Sequence, residues 1–450
     1  MSGSSRTALN RRDLLRAASG VVAGSAWSRL SWADGRPPVT RPRATSGDTA
    51  VEPDWQERLT LTVGPTQADL VGSNDKVIQA GVDYVARLGG GTVQVLPGTY
   101  RMRNAVHLTS GIRVLGSGTD SVLIKESSIE TKLAADSDWY DQEITLDDAK
   151  GFRVGDGVCL QTENPHHGGR DVLKRTLVAR SRNRFKLSRA LRKNFWVDKA
   201  PTVSTLFPLL TAEEATDIVI ENITLDGNRA NNAHLDGNHA GCIWMQDCSR
   251  IMIRGVTARN YNGDGMSWQI CHDTIVVDCH CRDNAGLGAH PGSGSQRPIV
   301  RGNRLERNSI GLFFCWGVQY GLAEKNTIRD NAKFGVSIGH RDNENLIRDN
   351  EITHSGEAGV VFRPERGKGF TARGNLLERN RIIDSGGEDG IGIDVQGVTE
   401  SNTIARNEIR ETRGPAKRIG IRLGTETRDI KLIDNKIEGV AVPVSDLRKS

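Results

Sequence analysis

A six-residue unit returns along the second half of this chain at a nearly fixed interval: Gly311-Leu312-Phe313-Phe314-Cys315-Trp316, Gly335-Val336-Ser337-Ile338-Gly339-His340, Gly359-Val360-Val361-Phe362-Arg363-Pro364 and Gly390-Ile391-Gly392-Ile393-Asp394-Val395. The leading glycines lie 24, 24 and 31 residues apart. A period in the twenties is what a solenoid leaves in a sequence, because each unit is one turn that buries its apolar face only against the next. Apolar positions two apart inside each unit make it a strand. The expected class is all-β, a solenoid of short parallel strands.

A second column runs in phase with the first. Asn303, Asn326, Asn350, Asn380, Asn407 and Asn435 each follow an apolar residue by three positions and precede an Ile or Leu by two. Stacked at the ~4.8 Å spacing of neighbouring strands, such asparagines can hydrogen-bond along the solenoid axis. They mark turns and carry no chemistry. The strand units themselves align over eight coils on Gly241, Gly265, Gly286, Gly311, Gly335, Gly359, Gly390 and Gly420. Residues one and three positions on, from Cys242 and Trp244 through Ile421 and Leu423, are then predicted to point inward.

The N-terminal third reads differently. Asn10-Arg11-Arg12-Asp13-Leu14-Leu15-Arg16, an apolar stretch from Ala17 to Ala26 and the small-x-small step Ser31-Trp32-Ala33 come in the order of an export signal. This segment resembles the twin-arginine motif, which implies a folded cargo delivered to the periplasm or beyond. Pro, Arg, Thr and Gly then dominate a linker. Asn74 or Asp75 caps a predicted helix whose face is Val77, Gly81, Tyr84/Val85 and Leu88, stopped by Gly89-Gly90-Gly91. After it come Thr92-Val93-Gln94-Val95-Leu96-Pro97-Gly98-Thr99-Tyr100 and Ile112-Arg113-Val114-Leu115-Gly116-Ser117-Gly118. A capping helix, a triple glycine and these two strands resemble the opening of the pectate-lyase-like superfamily of right-handed parallel β-helices. Between Glu126 and Leu210 the period is lost and short alternating strands with Gly/Asp turns take over, which reads as a β-rich insertion. The expected division is an export signal over 1–33, a disordered linker over 34–53, a capping helix and first coils over 54–125, the insertion over 126–210 and the main coils over 211–450.

Composition narrows the function classes. A net charge of +5 over 450 residues, with no clustered Lys/Arg stripe, argues against a nucleic-acid partner and is compatible with an anionic one. No stretch approaches the ~20 apolar residues of a membrane span, so no integral segment is expected once the signal is removed. Seven cysteines, most of them within apolar patterns, read as small core hydrophobes and not as a disulfide framework. Cys271-His272 and Cys279-His280-Cys281 lack the paired spacing of a zinc site, so no metal site is assigned. The sequence requires no cofactor and leaves calcium open.

Positions four to six residues beyond the glycines, and the turns beside them, hold a different set of side chains. His290, His340, Arg341, Arg363 and Asp394 are the candidate catalytic groups; Trp316, Gln269, Glu365, Asp264 and, on the loop Asn228 to His239, His239 are the candidate substrate contacts. On consecutive coils this set spans ~20 Å and would line a polar face. Histidines, arginines, carboxylates and an outward tryptophan together suit sugar rings that carry negative charge. The glycine-rich segment His290-Pro291-Gly292-Ser293-Gly294-Ser295-Gln296 allows close backbone approach to a ligand.

The resemblance implies polysaccharide lyases, glycoside hydrolases, uronate epimerases or tailspikes, and a fold does not choose among them. Polygalacturonase-like hydrolases carry an Asp-Asp pair and a Gly-His-Gly. Here Gly286-Leu287-Gly288-Ala289 and Phe334-Gly335-Val336-Ser337 stand instead. Elimination on a uronate needs carboxylate neutralisation, a base and an acid, for which an Arg and a His suffice. A lyase acting on an anionic polysaccharide is the leading expectation. Hydrolysis by paired carboxylates from Glu365, Asp394 and Asp264, or glycan binding without turnover, are the alternatives.

Overall fold

The computed structural model describes residues 57–164, 169–365 and 367–449. The expected export signal (1–33) and the expected linker (34–53) lie outside the described residues, as do residues 54–56 of the expected first-coil segment and 165–168 of the expected insertion. What is described is a right-handed parallel β-helix. Three parallel sheets of 13, 11 and 11 strands run its length, and the chain visits them in turn, coil after coil. In a typical coil Ile299–Arg301 lies in the first sheet, Arg304–Glu306 in the second and Ile310–Phe313 in the third.

The three bends repeat one solution to the same problem. A bend breaks the strand ladder and leaves backbone N–H groups that must be paired if buried. At the bend between first and second sheets, a residue in the left-handed region precedes each asparagine: Gly302, Lys325, Asp349, Arg379, Arg406 and Asp434, at φ of 50 to 65°. The asparagine then stacks on its counterpart in the next coil. Asn303 donates both its backbone N–H and its side-chain amide to Asn326 Oδ1 at 3.0 Å, and a second amide bond goes to the Val276 carbonyl at 3.0 Å. The ladder continues without a break through Asn350, Asn380 and Asn407 to Asn435. Two further ladders stand at the other bends, Asn284–Asn308–Asn331 and Asn345–Asn375–Asn402.

The glycines mark the approach of the third sheet to the second. A Cβ on Gly311, Gly335, Gly359 or Gly420 would sit 2.4 Å from the Cγ2 of Ile328, Ile352, Ile382 or Ile437 respectively. Glycine is required there for space. The residues that stack at this corner are Gly265, Gly288, Gly311, Gly335, Gly359, Gly392 and Gly420, so the sequence alignment on Gly286 and Gly390 is two residues out and that on Gly241 is one residue out. The inward column is therefore Ile243, Met266, Ala289, Leu312, Val336, Val360, Ile393 and Ile421. Trp244 moves to the opposite face, in register with Ser267 and so with His290.

Helix α1 (Asp75–Arg87) caps the N-terminal end, with the Asn74 side chain accepting from the Lys76 and Val77 amides. Ile78, Gly81, Val82 and Val85 face the coils, while Tyr84 and Leu88, expected on that face, point to solvent at 54% exposure each. The insertion forms a six-stranded sheet, antiparallel throughout, between Glu130 and Ser204, with its own core of Leu133, Ile144, Phe185, Phe195 and Val203 among others. It interrupts the chain where the second sheet (Ser121–Lys125) would pass to the third (Leu210–Glu213). Among the described residues no helix is long and apolar enough to cross a membrane.

Candidate functional site

The third sheet and the loops that leave it position nearly all of the side chains singled out in the sequence. They do not form one open polar face. They divide into local groups, distinguished by how much water each can reach.

The first group is buried. Asp264 opens one strand of the third sheet and His290 lies on the next, and His290 Nδ1 meets Asp264 Oδ2 at 2.7 Å. The other oxygen of Asp264 accepts the Leu287 amide at 2.8 Å. Ser267, 3.3 Å from the same imidazole nitrogen, donates to the Gly237 carbonyl and accepts from the Gln269 amide. Gln269 in turn accepts the Ser293 N–H, tying the glycine-rich turn to the sheet. Burial works against charge on His290, but Asp264 and the neighbouring Cys315 thiol outweigh it and hold the imidazole up at about 9. The loop from Asn228 to His239 closes over this group: a Cβ on Gly237 would collide with the Asp264 carboxylate.

His239 ends that loop and faces the insertion. Its imidazole is lowered by burial and by Lys174 and Lys193, with Asp236 opposing. Lys174 reaches across from the insertion and sets its ammonium over the Trp244 ring, 2.9 Å from the centroid. Burial pushes this lysine down to about 7. His239 thus belongs to the seam between insertion and coils.

The second group is an arginine clamp. Arg363 donates to Ser337 Oγ at 2.9 Å and to Asp342 Oδ2 at 3.1 Å, and its guanidinium carbon lies 4.3 Å from the Phe313 centroid. Asp342 is fully buried and also accepts the amides of Gly317, Val318 and Gly339 at 2.8 to 3.0 Å. Burial raises its carboxyl to about 6, against the pull of Arg363 and those amides. Arg363 therefore neutralises a protein carboxylate and fixes the loops on either side.

The third group reaches solvent through Trp316 and Arg341, with His340 buried between the rings at 8% exposure. Trp316 leaves the third sheet in the left-handed region at φ 54° and is 57% exposed. Its ring stacks on His340 of the next coil with centroids 4.5 Å apart and planes 21° apart. Phe370 packs against His340 at 4.6 Å. Arg341 is exposed, with its guanidinium over Phe370 at 4.9 Å and its Nε donating to the Gly369 carbonyl at 2.8 Å. Glu365 holds His340 from the side, with Oε2 3.3 Å from Nδ1 and Oε1 accepting the His340 backbone amide. Gly339 makes this approach possible, since a Cβ there would stand 2.6 Å from Glu365 Oε1. Phe370 was not among the sequence candidates. Its signal is the long interval from Asn350 to Asn380, whose extra residues form the loop that carries Glu365 and Phe370.

Asp394 lies two coils further along the third sheet. Arg422 grips it with two bonds of 2.8 and 2.6 Å, and Gln396 donates to it as well. It is 3% exposed and does not join the Trp316 group. Among the described residues no cluster of three or more His, Cys, Asp or Glu side chains is arranged to hold a metal ion.

The profile of a family described as "Right handed beta helix region" matches residues 218–366. No curated protein matches this chain in sequence. Among solved structures, the A-module of the mannuronan C-5 epimerase AlgE4 of Azotobacter vinelandii is similar, with a TM-score of 0.52 at 15% identity over 85% of this chain and 97% of that one. A protein described as a glycoside hydrolase is similar with a TM-score of 0.50 at 10% identity, again over 85% and 97% of the two chains. At these identities the likeness establishes the architecture, and this chain is a right-handed parallel β-helix.

Proposed function

We propose that this chain is a carbohydrate-active protein that cleaves an anionic, uronate-containing polysaccharide by β-elimination at the Trp316–His340–Arg341 edge. The observation that carries the reading is the ring stack itself. A tryptophan 57% exposed on a β-helix rim, backed by His340 and flanked by a solvent-facing arginine, offers a flat apolar surface beside a cation. A sugar ring with a carboxylate needs both.

Each residue takes one role. Trp316 stacks the ring and Arg341 pairs with the carboxylate, which makes the proton on C5 more acidic. Glu365 accepts from Nδ1 of His340, so Nε2 carries the lone pair that removes that proton. The C5–H electrons form the C4=C5 double bond as the C4–O bond breaks. The imidazolium returns the proton to the departing glycosidic oxygen. Hydrolysis is less well served: Asp264 is paired with His290, Asp394 with Arg422 and Glu365 with His340, whereas a hydrolase keeps one of two facing carboxyl groups protonated. Two structural neighbours bear names of carbohydrate-modifying enzymes, which is consistent with this reading. The Asn10 to Arg16 motif is the sequence basis for placing the protein outside the cytoplasm, where such polymers are met.

The test is a panel of uronate-containing and neutral polysaccharides, followed both by absorbance of the new double bond and by reducing ends. Elimination predicts both signals together on acidic polymers. Reducing ends alone would replace the lyase by a hydrolase, and retained binding without product would leave a glycan-binding protein.

A further inference from the structure

We propose that the insertion carries a second carbohydrate-binding surface, built from Trp139, Tyr140 and Arg192, for a further stretch of an anionic sugar chain. The assignment rests on the anionic-polysaccharide reading above but on no residue of the Trp316 edge. Trp139 and Tyr140 are neighbours in sequence and are 52% and 62% exposed. Two adjacent rings left in water are costly, and on a small sheet that has its own core they mark a contact surface. The rings are also fixed before any ligand arrives. Asp138 accepts from the Tyr140 hydroxyl at 3.1 Å with one carboxylate oxygen and from Trp196 Nε1 at 2.9 Å with the other. The Asp138 amide donates to the Asp141 side chain at 2.8 Å, which closes the turn. Asn194 accepts the Trp139 amide and the Asp141 carbonyl accepts the Leu191 amide, both at 2.9 Å, so the turn is tied to the next segment of the insertion. Ordering of this kind lowers the entropy lost on binding.

Shape and charge then select the ligand. The two rings meet edge to face, with centroids 6.0 Å apart and planes 80° apart. Planes at that angle bound a corner, which takes the apolar face of a sugar ring and leaves its hydroxyls to a polar rim. The acids of the turn are engaged: Asp138 with Tyr140 and Trp196, Asp141 with the Asp138 amide, and Asp136 with the Val197 amide at 2.7 Å. Lys193 pairs with Asp171. Arg192 is exposed, lies 5.9 Å from the Trp139 centroid, and its guanidinium makes no hydrogen bond or ion pair among the described residues. A planar cation beside a stacking ring suits the carboxylate of a uronate.

The test runs the full chain on native gels cast with polygalacturonate, alginate or dextran. It compares the natural protein with Arg192→Gln and with a double variant, Trp139→Ala and Tyr140→Ala. The two uronate polymers should retard the natural protein, and the double variant's apparent dissociation constant should rise by about tenfold. Arg192→Gln should lose the preference for uronate polymers over dextran, and it keeps the test decisive if the double variant does not fold. Turnover of a uronate trisaccharide at the Trp316 edge should stay within about twofold of the natural rate in both variants, as expected of independent sites. Equal retardation of the natural and double-variant proteins overturns the proposal and leaves the Trp316 reading standing. Retardation that falls with the rings, in a protein that forms no double bond, upholds this surface and removes the elimination. A double variant that sediments differently but is retarded equally would make the patch a self-association face, which also overturns the proposal.

Discussion

His290 Nδ1 lies 2.7 Å from Asp264 Oδ2, and the two residues are 2% exposed each. An ion pair so deeply buried in a coil couples stability to pH. Because the imidazole is raised from 6.5 to about 9, its contribution is fully present below pH 6.5 and is lost as pH rises through 9. That contribution is roughly 3 kcal/mol. Lys125 and Lys174, both lowered to about 7, act in the opposite sense over higher pH but are common to the natural and substituted proteins. Urea unfolding of His290→Gln at a series of pH values should therefore show a natural-minus-variant difference that shrinks from pH 6.5 to 9. A constant difference would mean that the pair does not titrate in this window.

Asn350 should be among the costliest single positions in the coils. It accepts the Asn326 backbone amide and side chain, and donates to the Ala323 carbonyl and Asn380. Asn350→Ala leaves these buried groups unpaired on two coils, a loss of about 3 kcal/mol. Chemical denaturation measures it directly, and a loss under ~0.5 kcal/mol would remove the ladder from the account of stability.

Glycine at the corner is needed for space. Gly335→Ala would place a methyl 2.4 Å from Ile352 Cγ2 and 2.7 Å from the Gly359 carbonyl oxygen, for an expected cost of about 1–3 kcal/mol. Gly367, whose missing side chain would have nothing within 4 Å among the described residues, is the control and should change by no more than ~0.5 kcal/mol on conversion to alanine. Equal effects at the two positions would contradict the packing argument.

The architecture was legible because repetition multiplies weak signals. A single Asn-x-Ile says little, but six of them from Asn303 to Asn435 predict a ladder, and the ladder exists. Two more ladders are harder to read in the sequence, since Asn284, Asn308 and Asn331 pass to Ser355 and Ser385 in the next coils, and Asn345 starts its column late. Register was harder. Gly286 and Gly288, or Gly390 and Gly392, fit the same pattern, and only the approach of an isoleucine methyl or a neighbouring coil decides which one takes the corner. A one-residue error at Gly241 was enough to turn Trp244 to the wrong face. The candidate site was legible as a list of residues and not as an arrangement. Whether Arg363 faces a ligand or Asp342 depends on loop paths that the period does not encode.

Trp316 should matter for ligand and little for folding. Trp316→Ala removes the outer ring of the stack with His340, so affinity for an acidic oligosaccharide should fall by about tenfold, the worth of one stacked ring. Calorimetric titration gives the affinity, and the unfolding temperature should stay within a few degrees. Unchanged affinity would place the ligand on another face.

The central claim, that this edge carries out elimination, is tested most directly by the initial rate of double-bond absorbance on an acidic polysaccharide for the natural protein and for His340→Ala. The account predicts a steady rise with the natural protein and a rate lower by at least about 100-fold in the variant, with folding retained. A folded His340→Ala protein that forms the unsaturated product at the natural rate would contradict it.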